Sequence, residues 1–189
     1  MSWWRLSVAL IALGFIFFSL SDPPEISTLS ADLRKIADQR PDAFMAGIHQ
    51  KTFSEVGTLK TTLIAESLLD FGSRANAKLE APKFWLERNK TSWYIEGDHG
   101  ELSADRKLVS ITHNVSAKRS SDGRSYWELS GDQLLWDQTT DLITSSTTTK
   151  LVQGGTVSIG EELLLNLNKN EYRLDNKVKT QWRNISSSE

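Results

Sequence analysis

Beyond Pro41, apolar and polar residues alternate along most of the chain, the period of two that marks half-buried β-strands. Leu59, Thr61, Leu63, Ala65, Leu69 and Phe71 share one face of a predicted strand, with Lys60, Thr62, Glu66 and Asp70 opposite. Val109, Ile111 and Val115 alternate with Ser110, Thr112 and Asn114. A last strand is predicted over 171–183. It puts Tyr172, Leu174, Val178, Thr180 and Trp182 on its apolar face, and Arg173, Asp175, Lys177, Lys179, Gln181 and Arg183 on the other. Turn residues punctuate the pattern at Glu55-Val56-Gly57, Ser120-Ser121-Asp122-Gly123, Gln153-Gly154-Gly155 and Asn168-Lys169-Asn170. No helical period persists after Pro41. The prediction is an all-β sandwich, roll or barrel, in which two sheets bury their apolar faces against each other or enclose something apolar.

The pattern also repeats. Trp93-Tyr94-Ile95-Glu96-Gly97-Asp98 returns 34 positions later as Trp127-Glu128-Leu129-Ser130-Gly131-Asp132, and Leu108-Val109-Ser110 is answered by Leu142-Ile143-Thr144. A third copy lies 29 positions on, with Gly160-Glu161 matching Gly131-Asp132 and Leu163 and Leu165 matching Leu134 and Trp136. Such a unit predicts stacked hairpins with Gly-acidic turns. Asp98 and Asp132, which recur with the unit, read as turn formers bonding nearby backbone amides. Trp93 and Trp127 read as core.

Ahead of this domain, Leu6 to Leu20 is apolar apart from Ser7, Gly14 and Ser19. The stretch from Trp3 to Leu20 makes about 27 Å of helix at about 1.5 Å per residue, enough to cross a bilayer. Arg5 lies before it and Asp22 and Glu25 after it, so the positive-inside rule leaves the N-terminus cytoplasmic and exports the rest. The expected organisation is an anchor over 1–21, a linker over 22–39, a β-domain over 40–183 and a tail over 184–189. The competing reading is a signal peptide cleaved at Ser19-Leu20-Ser21.

Chemistry is sparse. The chain has no cysteine, which removes thiol nucleophiles, thiolate metal sites and disulfides. His49, His99 and His113 lack metal-ligand spacing, and a net charge of −2 gives no footprint for nucleic acid. Asp98 with Glu101, and Asp132 with Asp137, would be the carboxylate pairs of a carbohydrate-active jelly roll, yet recurrence with the repeat favours turn roles. No catalytic residue, metal or cofactor is expected. The last strand has little chain after it to cover its edge, and Arg173, Lys177, Lys179 and Arg183 guard it. Its backbone suits addition of a partner strand.

These features resemble the LptC family, the inner-membrane-anchored component of bacterial lipopolysaccharide export. The resemblance runs through Arg40-Pro41-Asp42-Ala43-Phe44, Gly57-Thr58-Leu59, Leu63-Ile64-Ala65-Glu66 and Ala81-Pro82. It continues through Trp93 with Ile95, Asn114-Val115, Leu142-Ile143-Thr144-Ser145 and Gly160 with Asn166-Leu167, and closes on Leu174, Lys177-Val178 and Thr180. It implies a periplasmic open β-jelly roll of the OstA/LptA-like type, single-pass in the bacterial inner membrane. Lipopolysaccharide would come from the LptB2FG ABC transporter, docked at the N-terminal edge and the transmembrane helix, and pass to LptA at the C-terminal edge. On that implication the groove lining includes Tyr172, Trp182, Leu174, Val178, Ile48 and Leu79. The docking edge comprises Lys177, Val178, Lys179, Thr180 and Trp182. A soluble LptA-like bridge module is the alternative within the same superfamily.

Overall fold

The computed structural model describes residues 40–89, 91–121 and 124–182. Contacts divide the chain between Arg40 and Pro41, and every described strand belongs to the second unit. The expected anchor, linker and tail lie outside the described residues.

Fourteen strands and no helix make up the described part. They are β1 (Ala43–Phe53), β2 (Leu59–Asp70), β3 (Ala77–Glu80), β4 (Lys83–Arg88), β5 (Thr91–Glu96), β6 (His99–Leu102), β7 (Leu108–Ser121) and β8 (Arg124–Asp137). Then come β9 (Leu142–Ser145), β10 (Thr149–Gln153), β11 (Thr156–Gly160), β12 (Glu162–Asn166), β13 (Glu171–Asp175) and β14 (Lys179–Trp182). Antiparallel pairings join them into one sheet, and three long strands change partner halfway along. β2 pairs β4 through Thr61–Ile64 and β3 through Ser67–Leu69. β7 pairs β6 through Val109–Thr112 and β5 through Ser116–Ser120 in the inner part of the sheet. β8 pairs β10 through Trp127–Gly131 and β9 through Leu135–Asp137. The sheet therefore rolls over itself into two layers. The first runs β1-β2-β4-β5-β7-β8-β10-β11-β14 and the second β1-β2-β3-β6-β7-β8-β9-β12-β13.

The chain passes between layers at corners, and these corners explain the repeat. The Ala81 amide donates to the Asp98 carbonyl at 2.7 Å, and the Asp98 amide to the His113 carbonyl at 3.0 Å, so each corner is bonded to the next. A Cβ on Gly97 would lie 2.6 Å from Ile111 Cγ2 and 3.3 Å from the His113 carbonyl oxygen. One on Gly160 would lie 2.6 Å from Leu174 Cγ and 3.0 Å from the Asp175 carbonyl oxygen. Glycine recurs because neighbouring corners stack too closely for a side chain. The Gly-acidic pairs are therefore corners rather than the hairpin turns the repeat suggested; Gly131-Asp132 lies within β8. Nor do their acids bond backbone amides. Asp98 Oδ2 accepts from Asn114 Nδ2 at 2.6 Å and Glu161 Oε1 from Lys177 Nζ at 2.7 Å, again linking successive corners.

The last strand is corrected in the same way. It splits into β13, paired with β12 in the second layer, and β14, paired with β11 in the first. Between them Asn176 and Lys177 take left-handed φ of 60° and 52° and form the final corner. Inward parity also shifts where β2 crosses: Leu63 and Ala65 are buried, but beyond Glu66 it is Leu68 that packs on the core. The core itself follows the alternation, with Leu86, Ile95, Val109, Ile111, Ile143 and Leu167 fully buried.

Candidate functional site

In the middle of the roll the cleft between layers is filled by the protein's own side chains. Phe84 of the first layer meets Trp136 of the second edge-on, with centroids 5.7 Å apart at 76°. Opposite the corners, the rims of the two layers are also joined. Arg88 at the end of β4 donates through Nε and Nη2 to the carboxylate of Asp141 in the β8–β9 turn, both at 2.9 Å. Asn89 Nδ2 donates to the Asn168 carbonyl at 2.8 Å. Toward β13, the Tyr172 ring meets Trp127 edge-on, and its hydroxyl donates to Gln153 Oε1 at 3.1 Å. The open groove that the resemblance implies is therefore interrupted by aromatic packing and these cross-layer bonds.

Free space remains at the β1–β2 end. A cavity of about 360 Å³ lies there, within the range of ligand sites. Met45, Ile48, Leu63, Leu68, Phe84 and Leu102 give it apolar walls. Both layers contribute, because β2 runs through both and its inward side chains line the cavity on either side of the crossing. Polar groups gather at Asp70, Arg106 and Gln138. Arg106 Nη2 donates to Asp70 Oδ1 at 2.5 Å, and the same oxygen accepts the Gly72 amide at 2.8 Å. The Gly72 amide first, and Arg106 after it, hold the Asp70 carboxyl below its ordinary value against the opposing cost of burial.

Of the residues expected to line a groove, only Ile48 lines this cavity. Leu79 is 1% exposed within the core, and Leu174 packs against that core. Tyr172 lies at the opposite end, while Val178 is exposed beside the final corner. Trp182 is 84% exposed. Its cross-strand row runs through Thr156 and Gln153 to Trp127, so it belongs to the inward face at an end that the second layer leaves uncovered. Of the docking residues, Lys179, Thr180 and Trp182 lie on β14, while Lys177 and Val178 precede it. Among the described residues β1, β13 and β14 each pair on one side only.

The alternation places Leu63 correctly. Phe84, Leu68 and Leu102 carry no distinguishing mark in the sequence, because a cavity wall shares its apolar pattern with a filled core. Arg106, in a loop without a motif, gives no signal.

The other candidate chemistry falls into structural roles. Asp137 accepts from the Thr139 and Thr140 amides, as a turn cap does. His99 and His113 meet edge-on at 5.3 Å, and His99 Nδ1 lies 2.9 Å from Glu80 Oε2. No group of three or more metal-ligating side chains occurs among the described residues.

These features define a rolled antiparallel β-domain with an apolar cavity at one end and unpaired strand edges at both. The chain belongs to the family described as "Lipopolysaccharide-assembly, LptC-related", whose model matches residues 6–183, and that membership gives it a role in lipopolysaccharide transport. Among solved structures it is similar to LptH of Pseudomonas aeruginosa, an LptA-homologous periplasmic component of a lipopolysaccharide transport device. The TM-score is 0.46 and the identity 8%, with 78% of this chain and 98% of that one covered. No curated protein sequence matches the chain.

Proposed function

We propose that the domain stands on the periplasmic side of the inner membrane, held by the 1–21 segment. It receives lipopolysaccharide from the ABC transporter at the β1 edge, shelters acyl chain between its layers, and passes the lipid to LptA at the β14 edge. The observation that carries this reading is the cavity at the β1–β2 end, apolar-walled and polar-rimmed, in a chain of a lipopolysaccharide-assembly family. Each acyl CH₂ taken out of water gains about 0.8 kcal/mol, so a lipid crossing an aqueous compartment needs continuous apolar cover. An edge strand supplies continuity: a partner strand added to β14 would extend the first layer and cover Trp182. Residues Tyr172, Leu174 and Val178 belong to the outgoing end of this route, Leu79 to its floor and Ile48 to its entrance.

The test uses full-length protein reconstituted with the transporter in proteoliposomes containing lipopolysaccharide. A photo-crosslinker replacing Ile48 yields a lipopolysaccharide adduct that requires ATP, and one replacing the outward-facing Ile64 yields none. Adducts at Ile64 without any at Ile48 would place the lipid outside the roll and end this reading.

A further inference from the structure

The loop that carries Arg106 joins β6 to β7 and is closed by hydrogen bonds within itself and to the end of β8. The Arg106 amide donates to the Ser103 carbonyl at 2.8 Å, and Leu108 and Ser103 exchange bonds through the Ser103 amide and hydroxyl, both at 2.9 Å. Asp105 Oδ1 accepts from the Ser103 hydroxyl at 2.6 Å and from the Lys107 amide at 3.2 Å. From the end of β8, Gln138 donates its amide to the Lys107 carbonyl at 2.8 Å and its side chain to the Arg106 carbonyl at 2.9 Å. Within this brace Arg106 holds a left-handed φ of 60°, uncommon for an arginine. The backbone is fixed in this way, and Asp70 holds the guanidinium at the rim of an apolar cavity. Arg106 is the only cation among that cavity's lining residues.

Its partner is easily exchanged. Arg106 and Asp70 are 37% and 24% exposed, and pairs at such exposure contribute little. When the guanidinium leaves, Asp70 keeps the Gly72 amide on the oxygen it had shared, so no carboxylate is stranded. A phosphate monoester carries more charge than a carboxylate and three acceptor oxygens that match the guanidinium fork. We propose that Arg106 reads the phosphate headgroup of an acylated lipid whose chain lies in the cavity, with Asp70 holding the arginine in place while the site is empty. The inference rests on the proposed function and adds to it a basis for choosing phosphorylated lipid. Because Asp70 competes for the arginine, capture is reversible, as relay requires.

The test measures binding of full-length protein in nanodiscs to lipid A with its phosphates and to the same lipid enzymatically dephosphorylated. Wild type prefers the phosphorylated form by about tenfold, the size of one charge-assisted contact. Arg106→Gln loses that preference, weakening further toward the phosphorylated than toward the dephosphorylated lipid; Arg106→Lys retains part of it, and Asp70→Asn increases it. Equal weakening toward both lipids in Arg106→Gln, or no preference in wild type, overturns the headgroup inference. So does inorganic phosphate binding at Arg106 with no gain from an acyl chain. Wild type that binds neither lipid and gives no adduct at Ile48 would instead defeat the groove itself.

Discussion

Arg88 of the first layer grips Asp141 of the second with two parallel hydrogen bonds of 2.9 Å, spanning 53 residues of sequence. The side chains are only 11% and 16% exposed, and Arg88 Nη1 also donates to the Lys60 carbonyl at 2.7 Å. A pair so enclosed resists loss of one partner far more than loss of both, because the survivor is left charged and poorly hydrated. Denaturant titration of Arg88→Met, Asp141→Asn and the double variant should therefore be non-additive, with a coupling of about 1–3 kcal/mol. Asparagine is chosen because Asp141 has a φ of 55°, which asparagine tolerates. Additive losses would mean that the rims are not held by this pair.

The corners make a steric prediction. Gly97→Ala should destabilise by about 1–3 kcal/mol, the usual cost of forcing a methyl into occupied space. Asp98→Asn keeps an acceptor for Asn114 and should stay within about 0.5 kcal/mol of wild type. Urea midpoints for the two variants should therefore differ, with the alanine the damaging change and the asparagine nearly neutral. A Gly97→Ala protein as stable as wild type would show that the corners are loosely stacked.

Alkaline pH probes the outer face of the first layer. The Tyr94 hydroxyl donates to Glu96 Oε2 at 2.6 Å, with the ring 4.9 Å from that of Trp85. Burial first, and the Glu96 carboxylate second, push its pKa up to about 12. The folded state thus holds a proton that the unfolded chain releases near pH 10. This contribution is whole below pH 10 and is lost as pH rises toward about 12. Unfolding midpoints at pH 9 and pH 11 should fall further in wild type than in Tyr94→Phe. Asp137, held below its ordinary value by the Thr139 amide and then Thr140, has the opposite sign, losing its contribution as pH falls below 3.8.

How much of this is legible in the sequence depends on what each signal encodes. Alternation reports which side of a strand is dry, so Leu63, Val109 and Ile111 can be assigned inward, and glycine-rich turns such as Gly154-Gly155 can be placed. The repeat is visible as well, but a glycine in a hairpin turn and a glycine in a corner look alike. Close stacking of one corner on another is a contact between segments far apart in the chain, and sequence records only the missing side chain. The unbroken alternation of 171–183 hides a corner because Asn176 and Lys177 leave the apolar parity undisturbed. A filled cleft and an open one also share one pattern, since Phe84 reads the same packed on Trp136 or against a lipid chain. Arg106 belongs to a different category: only folding places it opposite Asp70.

The outgoing end supplies the sharpest test of passage between the layers. There the contact is one aromatic pair and one exposed hydrogen bond, from Tyr172 to Trp127 and Gln153. The pair is worth about 0.5–1.5 kcal/mol beyond its buried area. A latch of that strength opens thermally far more often than one built on Arg88 and Asp141. Because the chain has no cysteine, Tyr172→Cys with Gln153→Cys introduces the only two thiols, and a short bis-maleimide can staple one layer to the other. In proteoliposomes the stapled protein should still give the ATP-dependent adduct at Ile48 but fail to deliver lipopolysaccharide to LptA. Each single-cysteine variant treated with the same reagent should deliver it. A staple joining Glu87→Cys to Ser92→Cys, paired within the first layer on its outer face, leaves the layers free to part and reports on damage from the reagent alone. Undiminished delivery through the protein stapled at 153 and 172 would mean that the lipid leaves by another path, and that Tyr172 guards nothing.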